Sequence, residues 1–528
     1  MSRAPTRLLV IGIDAASPEL LDAWTADGTL PNLARLAARG LTGRTRGIEG
    51  FFVGSTWPSL YTGTSPARHG LHYQIQLVPG SYRLEDRTRG TFVEGDPFWR
   101  VLSRAGRRVA VLDVPLSRLE PDLNGVQVVE WGAHDAFFGF ATTPPDLGRQ
   151  IEAQAGRHPA GTSCDANGRG AGEYREFTAA LVEGTRRRAA WSLDLLSRGG
   201  WDLFMQVFTE SHCVGHQCWH LHDPAHPAHD PSVAALTGDP LRTVYEAIDR
   251  AVGELVAAAG DATCVVFSAH GMAHRFGAHF LLRDLLCALG AATPYPVPLR
   301  ERLRNRISER GSAAWRMLPP QVRAVLSPLR QRVAPAESAG AFAGRISVDP
   351  ERSRCFPLAN GLAVSGIRLN LQGREPHGLL APGPASAEFE AWLERELLAI
   401  VDEVSGAPLV RRVLRTRDVY PGDQFGALPD LLIEWSEQAA IGSTALGNGS
   451  RAHVVACSPA VGRIEGVNDY GRSGEHRPGG WFVAAGAGVR PGRLSRPPSL
   501  LDLAPTFTRV LGVELPGVDG APIEEIAG

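Results

Sequence analysis

The chain has 528 residues, 44% of them hydrophobic and 21% charged, with a formal net charge of −2. So near-neutral a balance excludes a protein that grips nucleic-acid duplexes by neutralising phosphates, and the length calls for a large α/β domain with insertions or for two to three domains. The 54 Lys+Arg positions are all arginine, which the codon bias of a GC-rich genome explains without any selection for arginine chemistry.

Arg7 to Ile13 (RLLVIGI) predicts a short buried parallel strand that delivers Asp14 at its carboxyl end, the edge of an open α/β sheet where ligands bind. Ser17-Pro18-Glu19 has the order of an N-cap, a first-turn proline and an acidic first turn, and Leu30 to Ala38 continues as a helix closed by Gly40. Further strands are predicted at Arg108–Asp113, Leu203–Phe208 and Cys264–Ser268, separated by helical patterns at Arg186–Leu196 and Pro240–Ala259. This alternation predicts an α/β fold of three layers, α/β/α, around a mostly parallel central sheet. Pro294 to Pro335 carries nine arginines among Leu, Val and Trp315 and reads as a basic amphipathic cap. Strands at Gly366–Gly373 and Leu431–Trp435 and a closing helix at Leu500–Leu511 follow. The expected division is a first part of the catalytic core in 1–290, the cap in 291–345 and completion of the core in 346–528.

Seven scattered cysteines do not make a disulfide framework. The first residues lack the apolar run and cleavage site of a signal peptide, and no stretch approaches the ~20 apolar residues that span a bilayer. A cytoplasmic enzyme without a membrane partner is the expectation.

Five islands carry metal-binding or nucleophilic side chains next to strand ends or glycine-rich turns. The first is Asp14. The second is Gly54–Gly70 (GSTWPSLYTGTSPARHG), with Thr56 at a helix start, where free backbone N–H groups favour anions. A threonine hydroxyl is a poor nucleophile unless a base or metal lowers its pKa; a capping role for Ser55 or Thr56 is the equal alternative. The third is Glu210–His222 (ESHCVGHQCWHLH), whose His212, His216 and His220 recur every four residues and share one helix face suited to a metal. The fourth is SAHGM, with His270, and the fifth is GEHRPGG, with His476 in a turn. In VEWGAHDAFF (Val129–Phe138), Trp131, Phe137 and Phe138 are candidates to stack on a substrate ring, with His134 and Asp135 bonding hydroxyls; burial in the core is the competing reading of the aromatics.

Taken in order, these islands resemble the alkaline phosphatase superfamily, in its type I phosphodiesterase/nucleotide pyrophosphatase branch. VIGIDAAS, STWPSLYTGTSPARHG, VFTESHCVGH, FSAHGM and GEHRPGG carry the likeness, joined by IRLNLQGREPHG, LPDLLIEW and LDLAPTFTRVLG. The resemblance implies an alkaline-phosphatase-like fold, Thr56 as nucleophile and metal ligand, and Asp14, His212, His216, His270 and His476 as metal ligands. Two departures stand out: the family usually has Asp where this chain has His212 and where it has Ala269. The first makes His212, His216 and His476 a three-nitrogen set suited to zinc, with manganese or iron as alternatives. The second leaves Asp14, His270 and Thr56 for the other ion, so one tight site and one weak or altered site are expected; Glu210, His274, Asp469 and Glu475 are the candidate replacement donors. The implied activity is metal-dependent hydrolysis of a small-molecule phosphodiester, pyrophosphate or phosphomonoester through a covalent phospho-Thr56, with Arg477 holding a spare phosphate oxygen. A phosphotransferase or mutase on the same scaffold and a non-catalytic phospho-ligand binder are the alternatives; a sulfatase is disfavoured because position 56 is threonine.

Overall fold

The computed structural model describes residues 7–89, 92–132, 136–161, 163, 165–166, 169–296, 344–438, 440–447 and 450–527. The cap expected in 291–345 falls almost wholly outside the described residues, as do His134 and Asp135.

The strands of the first half are β1 (Leu8–Ile13), β2 (Leu41–Arg46), β3 (Ile75–Leu77), β4 (Leu84–Asp86), β5 (Val109–Leu112), β6 (Gly125–Val129), β7 (Ala141–Thr143), β8 (Leu203–Phe208), β9 (Thr263–Phe267) and β10 (Gly271–His274). Those of the second half are β11 (Cys355–Leu358), β12 (Val364–Leu369), β13 (Val401–Asp402), β14 (Val410–Arg415), β15 (Leu431–Trp435), β16 (His453–Ser458), β17 (Gly462–Val467), β18 (Gly474–Arg477), β19 (Gly479–Ala485) and β20 (Gly492–Arg493). Nine of them form the central sheet in the order β20-β2-β19-β9-β1-β8-β5-β6-β7. The pairs β9-β1, β1-β8, β8-β5, β5-β6 and β2-β20 are parallel, while β19 runs antiparallel between β2 and β9 and β7 antiparallel at the far edge. The late strands β19 and β20 thus return to the sheet begun by β1.

Why this sheet is covered on both sides is legible in its side chains. Successive residues of a strand point to opposite faces; Leu8 and Val10 of β1 enter one hydrophobic cluster while Leu9, Ile11 and Ile13 enter the other. Parallel sheets buried on both faces need exactly such continuous apolar runs. The helices of the first half are α1 (Pro18–Ala26), α2 (Pro31–Ala38), α3 (Thr56–Thr62), α4 (Pro66–His69), α5 (Phe98–Arg104), α6 (Pro145–Ala155), α7 (Ala171–Ser197), α8 (Glu210–His222), α9 (Pro231–Thr237) and α10 (Pro240–Ala259). One face of the sheet is covered by α1, α2, α7, α8 and α10 through residues such as Trp24, Leu36, Leu195, Val214 and Leu255. The other is covered by α3, α5 and the closing helix Leu503–Val510 through Leu60, Trp99 and Phe507.

Three expectations change in detail. The helix expected at Arg186–Leu196 is the last part of the 27-residue α7, because its apolar face extends back to Tyr174 and Phe177 and the backbone N–H of Gly170 is capped by Glu173 at 2.7 Å. The strands expected at Gly366–Gly373 and Leu431–Trp435 pair with each other as β12 and β15 in a separate four-stranded antiparallel sheet, β11-β12-β15-β14. In the IRLNLQGREPHG segment, Arg368 is buried, ion-pairs with Glu375 at 2.9 Å and donates to the carbonyls of Phe425 and Leu428, so that segment pins the second sheet. The six described cysteines are free, and no helix of the described residues is long and apolar enough to cross a membrane.

Candidate functional site

The islands meet because of strand order. β8, β1 and β9 are parallel neighbours, so the residues that follow them emerge at one edge: Asp14 after β1, Thr209 and α8 after β8, and Ser268-Ala269-His270 after β9. β19 is antiparallel to β9, which brings its start, and β18 just ahead of it, to that same edge with His476. β2 is antiparallel to β19, so the chain leaving β2 also heads there, reaching Thr56 at the first position of α3. Here lies the carboxyl-end crevice where open α/β sheets bind ligands.

His212, His216 and His476 are buried and turn their Nε2 atoms toward one point. The three Nε2–Nε2 separations are 3.1, 3.2 and 3.2 Å. A tetrahedral ion with bonds of about 2.0–2.1 Å to imidazole nitrogen requires edges of about 3.3 Å, so this donor set has the spacing of a three-histidine zinc tripod. His216 Nδ1 donates to the carbonyl of Gly474 at 2.9 Å, which puts the ring proton on Nδ1 and leaves the Nε2 lone pair facing the triangle. Two glycines permit the approach of α8 to β10 and β18. A Cβ on Gly215 would stand 2.8 Å from Met272 Cγ, and one on Gly474 would stand 2.2 Å from the carbonyl oxygen of Gly215. His476 sits on β18, paired with Met272 of β10, and not in a turn as expected, because the residues after it must run as a strand to enter β19.

The other half of the edge is built differently. Asp14 Oδ1 accepts the indole N–H of Trp57 at 2.8 Å and lies 3.9 Å from His270 Nδ1. Ser211 Oγ donates to the Asp14 carbonyl at 2.6 Å, and the rings of His270 and His476 are 4.5 Å apart; the two halves are thus contiguous. Trp57 reaches Asp14 because β1 has a glycine opposite it: a Cβ on Gly12 would stand 2.9 Å from the indole. Thr56, beside Trp57, is buried and donates from Oγ1 to the Phe52 carbonyl at 2.8 Å. Ser55, the alternative hydroxyl, is engaged away from the edge: its Oγ donates to the Leu71 carbonyl at 2.9 Å and neighbours Ser59 Oγ and His69 Nε2. His69 Nδ1 accepts the Leu71 N–H at 3.2 Å, so its Nε2 carries the proton, and burial pushes its pKa down to about 3. That tautomer cannot draw a proton from Ser55 or Ser59.

Several expected site residues are placed elsewhere. His220 does not join the triad, since eight residues carry it about 80° round the helix from His212; it packs against Tyr174, with ring centroids 5.4 Å apart, and burial pushes its pKa to about 3. Arg477 does not face the triangle: as the next residue on a strand it points opposite to His476. Its Nε pairs with Glu437 at 2.7 Å, its other nitrogens donate to the carbonyls of His274, Glu475 and His476, and it covers the ring of Phe276. Trp131 is a core residue, with Nε1 donating to the Gly156 carbonyl at 3.0 Å and its edge against His158 and Trp191. Among the replacement donors, Glu475 pairs with Arg275, His274 Nε2 lies on the Glu437 carbonyl and Asp469 is exposed.

Glu210 belongs to a buried network that anchors α8. Its Oε1 lies 3.2 Å from both His158 Nε2 and Arg188 Nη2, and Arg188 Nη1 lies 2.8 Å from Asp113 Oδ2, all four side chains being at most 2% exposed. Burial alone would raise the Glu210 pKa, yet Arg188 and His158 hold it below the ordinary carboxyl value. Glu210 opens the helix that carries His212 and His216, so α7 and β5 fix where those rings stand. The sequence reading missed this network and also Arg472, whose Nη1 is 3.2 Å from His216 Nε2; its place four residues ahead of His476 in GRSGEH was the available signal.

The family model for type I phosphodiesterase / nucleotide pyrophosphatase matches residues 8–287, just over half of the chain. The chain belongs to that family. A search of curated proteins finds no match. Among solved structures, this member of the family is similar to phosphonoacetate hydrolase from Sinorhizobium meliloti 1021 in complex with phosphonoformate, with 14% identity, 97% of this chain and 100% of that chain covered and a TM-score of 0.47. It is also similar to murine ectonucleotide pyrophosphatase/phosphodiesterase 5, in an inactive form with AMP, at 11% identity, 98% and 97% coverage and a TM-score of 0.44. Both likenesses are remote.

Proposed function

We propose that this protein hydrolyses a small-molecule phosphorus ester at a divalent metal ion held by His212, His216 and His476, with Thr56 as the nucleophile and Asp14 and His270 completing the edge of the site. The observation that carries this reading is the triangle of Nε2 atoms, 3.1–3.2 Å on a side, at the sheet edge where Trp57 links the Thr56 turn to Asp14. Three neutral imidazoles suit zinc, with manganese or iron as alternatives. When bound, the ion supplies Lewis-acid neutralisation of charge on phosphoryl oxygens. Asp14 and His270, with Ala269 between the strand and His270 offering no donor, make a weaker second position.

In the reaction proposed, Thr56 Oγ1 gives up its proton and bonds to phosphorus, and the ester oxygen leaves as the alcohol, taking up a proton in balance. Water then attacks the phosphorus of phospho-Thr56, the Oγ1–P bond breaks, and the hydroxyl is restored. Thr56 stands at the start of α3, and the buried surroundings of its hydroxyl limit competing solvent. The family supports a diester or pyrophosphate bond as the substrate linkage. The test is Thr56→Ala on an aryl phosphodiester: kcat should fall by ~10³-fold or more with fold and metal content intact, since covalent catalysis is removed and packing is not. A folded, metal-loaded Thr56→Ala protein turning over near the wild-type rate overturns the assignment.

A further inference from the structure

The triangle has a cationic neighbour that the proposed reaction leaves unused. Arg472, in the loop ahead of β18, is 12% exposed at its side chain, and its Nη1 lies 3.2 Å from His216 Nε2. Its opposite edge is clamped: Nε and Nη2 reach the two carboxylate oxygens of Asp165 at 2.8 and 2.7 Å. Asp165 in turn accepts from Gln217 Nε2 at 3.2 Å, and Gln217 Oε1 accepts from Arg169. Gln217 follows His216 on α8, so the brace and the ligand share one helix. The guanidinium also lies 5.5 Å from the ring centroid of Tyr470. A bidentate clamp of this kind fixes direction as well as charge.

Because His216 Nδ1 donates to Gly474, its Nε2 is an acceptor, and Nη1 of Arg472 donates to it. That lone pair is the one a metal ion takes. Arg472 Nη1 and an ion held at His216 would compete for that lone pair, and the two would stand as neighbouring cations, an arrangement that an anion between them stabilises. An anionic phosphoryl oxygen supplies both the acceptor and the charge.

We propose that Arg472, oriented by Asp165, is a substrate-binding residue whose Nη1 holds an anionic non-bridging oxygen of the phosphorus group, which makes phosphorus mono- and diesters, and not neutral triesters, the substrate class. This rests on the proposed metal position at His212, His216 and His476. The test is calorimetric titration of inorganic phosphate into the zinc-loaded full chain, with zinc content measured on the same samples. Arg472→Gln should keep its zinc and bind phosphate about 10- to 100-fold more weakly, the loss of one charged hydrogen bond. Asp165→Asn should lose less, since the guanidinium stays but is no longer aimed, and Arg472→Lys should retain part of the affinity. Arg472→Gln that binds phosphate like the wild type while the wild type binds both zinc and phosphate overturns this role and leaves the proposed function standing. Loss of zinc from Arg472→Gln also overturns it, making Arg472 a support of the triad. A wild-type chain that takes up no zinc removes both.

Discussion

The two halves of the site differ in how completely the fold has prepared them. At the His212–His216–His476 half, three buried nitrogens stand at ligand spacing, one ring is held by a backbone carbonyl, and α8 is anchored by Glu210 on Arg188 and His158. At the Asp14–His270 half, two groups stand 3.9 Å apart, the carboxylate already accepts from Trp57, and Ala269 is buried without a donor. A site becomes tight when ordering its ligands is done by folding and not by the ion; on that ground we propose the first half as the metal centre and the second as an auxiliary edge.

The largest effect should come from removing one member of the prepared half. His216→Ala is expected to weaken zinc by at least ~10²-fold, the share of one ligand among four in a binding free energy of about 10–16 kcal/mol. Asp14→Ala should leave that ion in place. Isothermal titration with a competing chelator measures both, and equal losses in the two variants would erase the asymmetry. Next comes the packing that aims the rings. Gly474→Ala inserts a methyl 2.2 Å from the Gly215 carbonyl oxygen, which forces β18 away from α8; zinc affinity should fall about 10- to 100-fold, as for loss of a supporting contact to a ligand, and an unchanged affinity would mean that the strand position does not govern His476. The smallest effect is a gain. Ala269→Asp offers the second half a further carboxylate, so elemental analysis should rise from near one equivalent of metal toward two only when excess metal is present during loading. Two equivalents retained by the wild type after dialysis would mean that the auxiliary edge is already a full site.

Much of this was readable from the chain because the signals are local. A strand run of apolar residues, a Ser-Pro-Glu helix start and histidines four apart each depend on neighbours in sequence, and β1, α1, β8, α8 and α10 follow those readings closely. Arg477 went astray for the opposite reason, while Trp131 follows the core reading left open for it. The type of Arg477 suits substrate binding, but where a strand residue points depends on register, and Arg477 is one residue out of phase with His476. His220 shares the four-residue spacing yet drifts round the helix and packs against Tyr174. The buried Glu210–Arg188–Asp113 network joins residues 22 to 97 positions apart and leaves no pattern in the sequence.

The sequence by itself determined the strands with long apolar runs, among them β1, β8, β9 and β15, several helix starts and the chemical identity of each donor, including the imidazole at position 212 and the missing donor at 269, because these depend on covalent side chains and local hydrophobic period. Only the tertiary structure decided that three of those imidazoles form one triangle, that Glu210 pairs with Arg188 and His158 at the start of the helix, and that Arg472, not Arg477, lies beside His216. The reason is physical: ligand geometry is set by strand order, by the glycine-permitted contact of α8 with β18, and by buried charge pairs, all of which join parts of the chain that are remote in sequence.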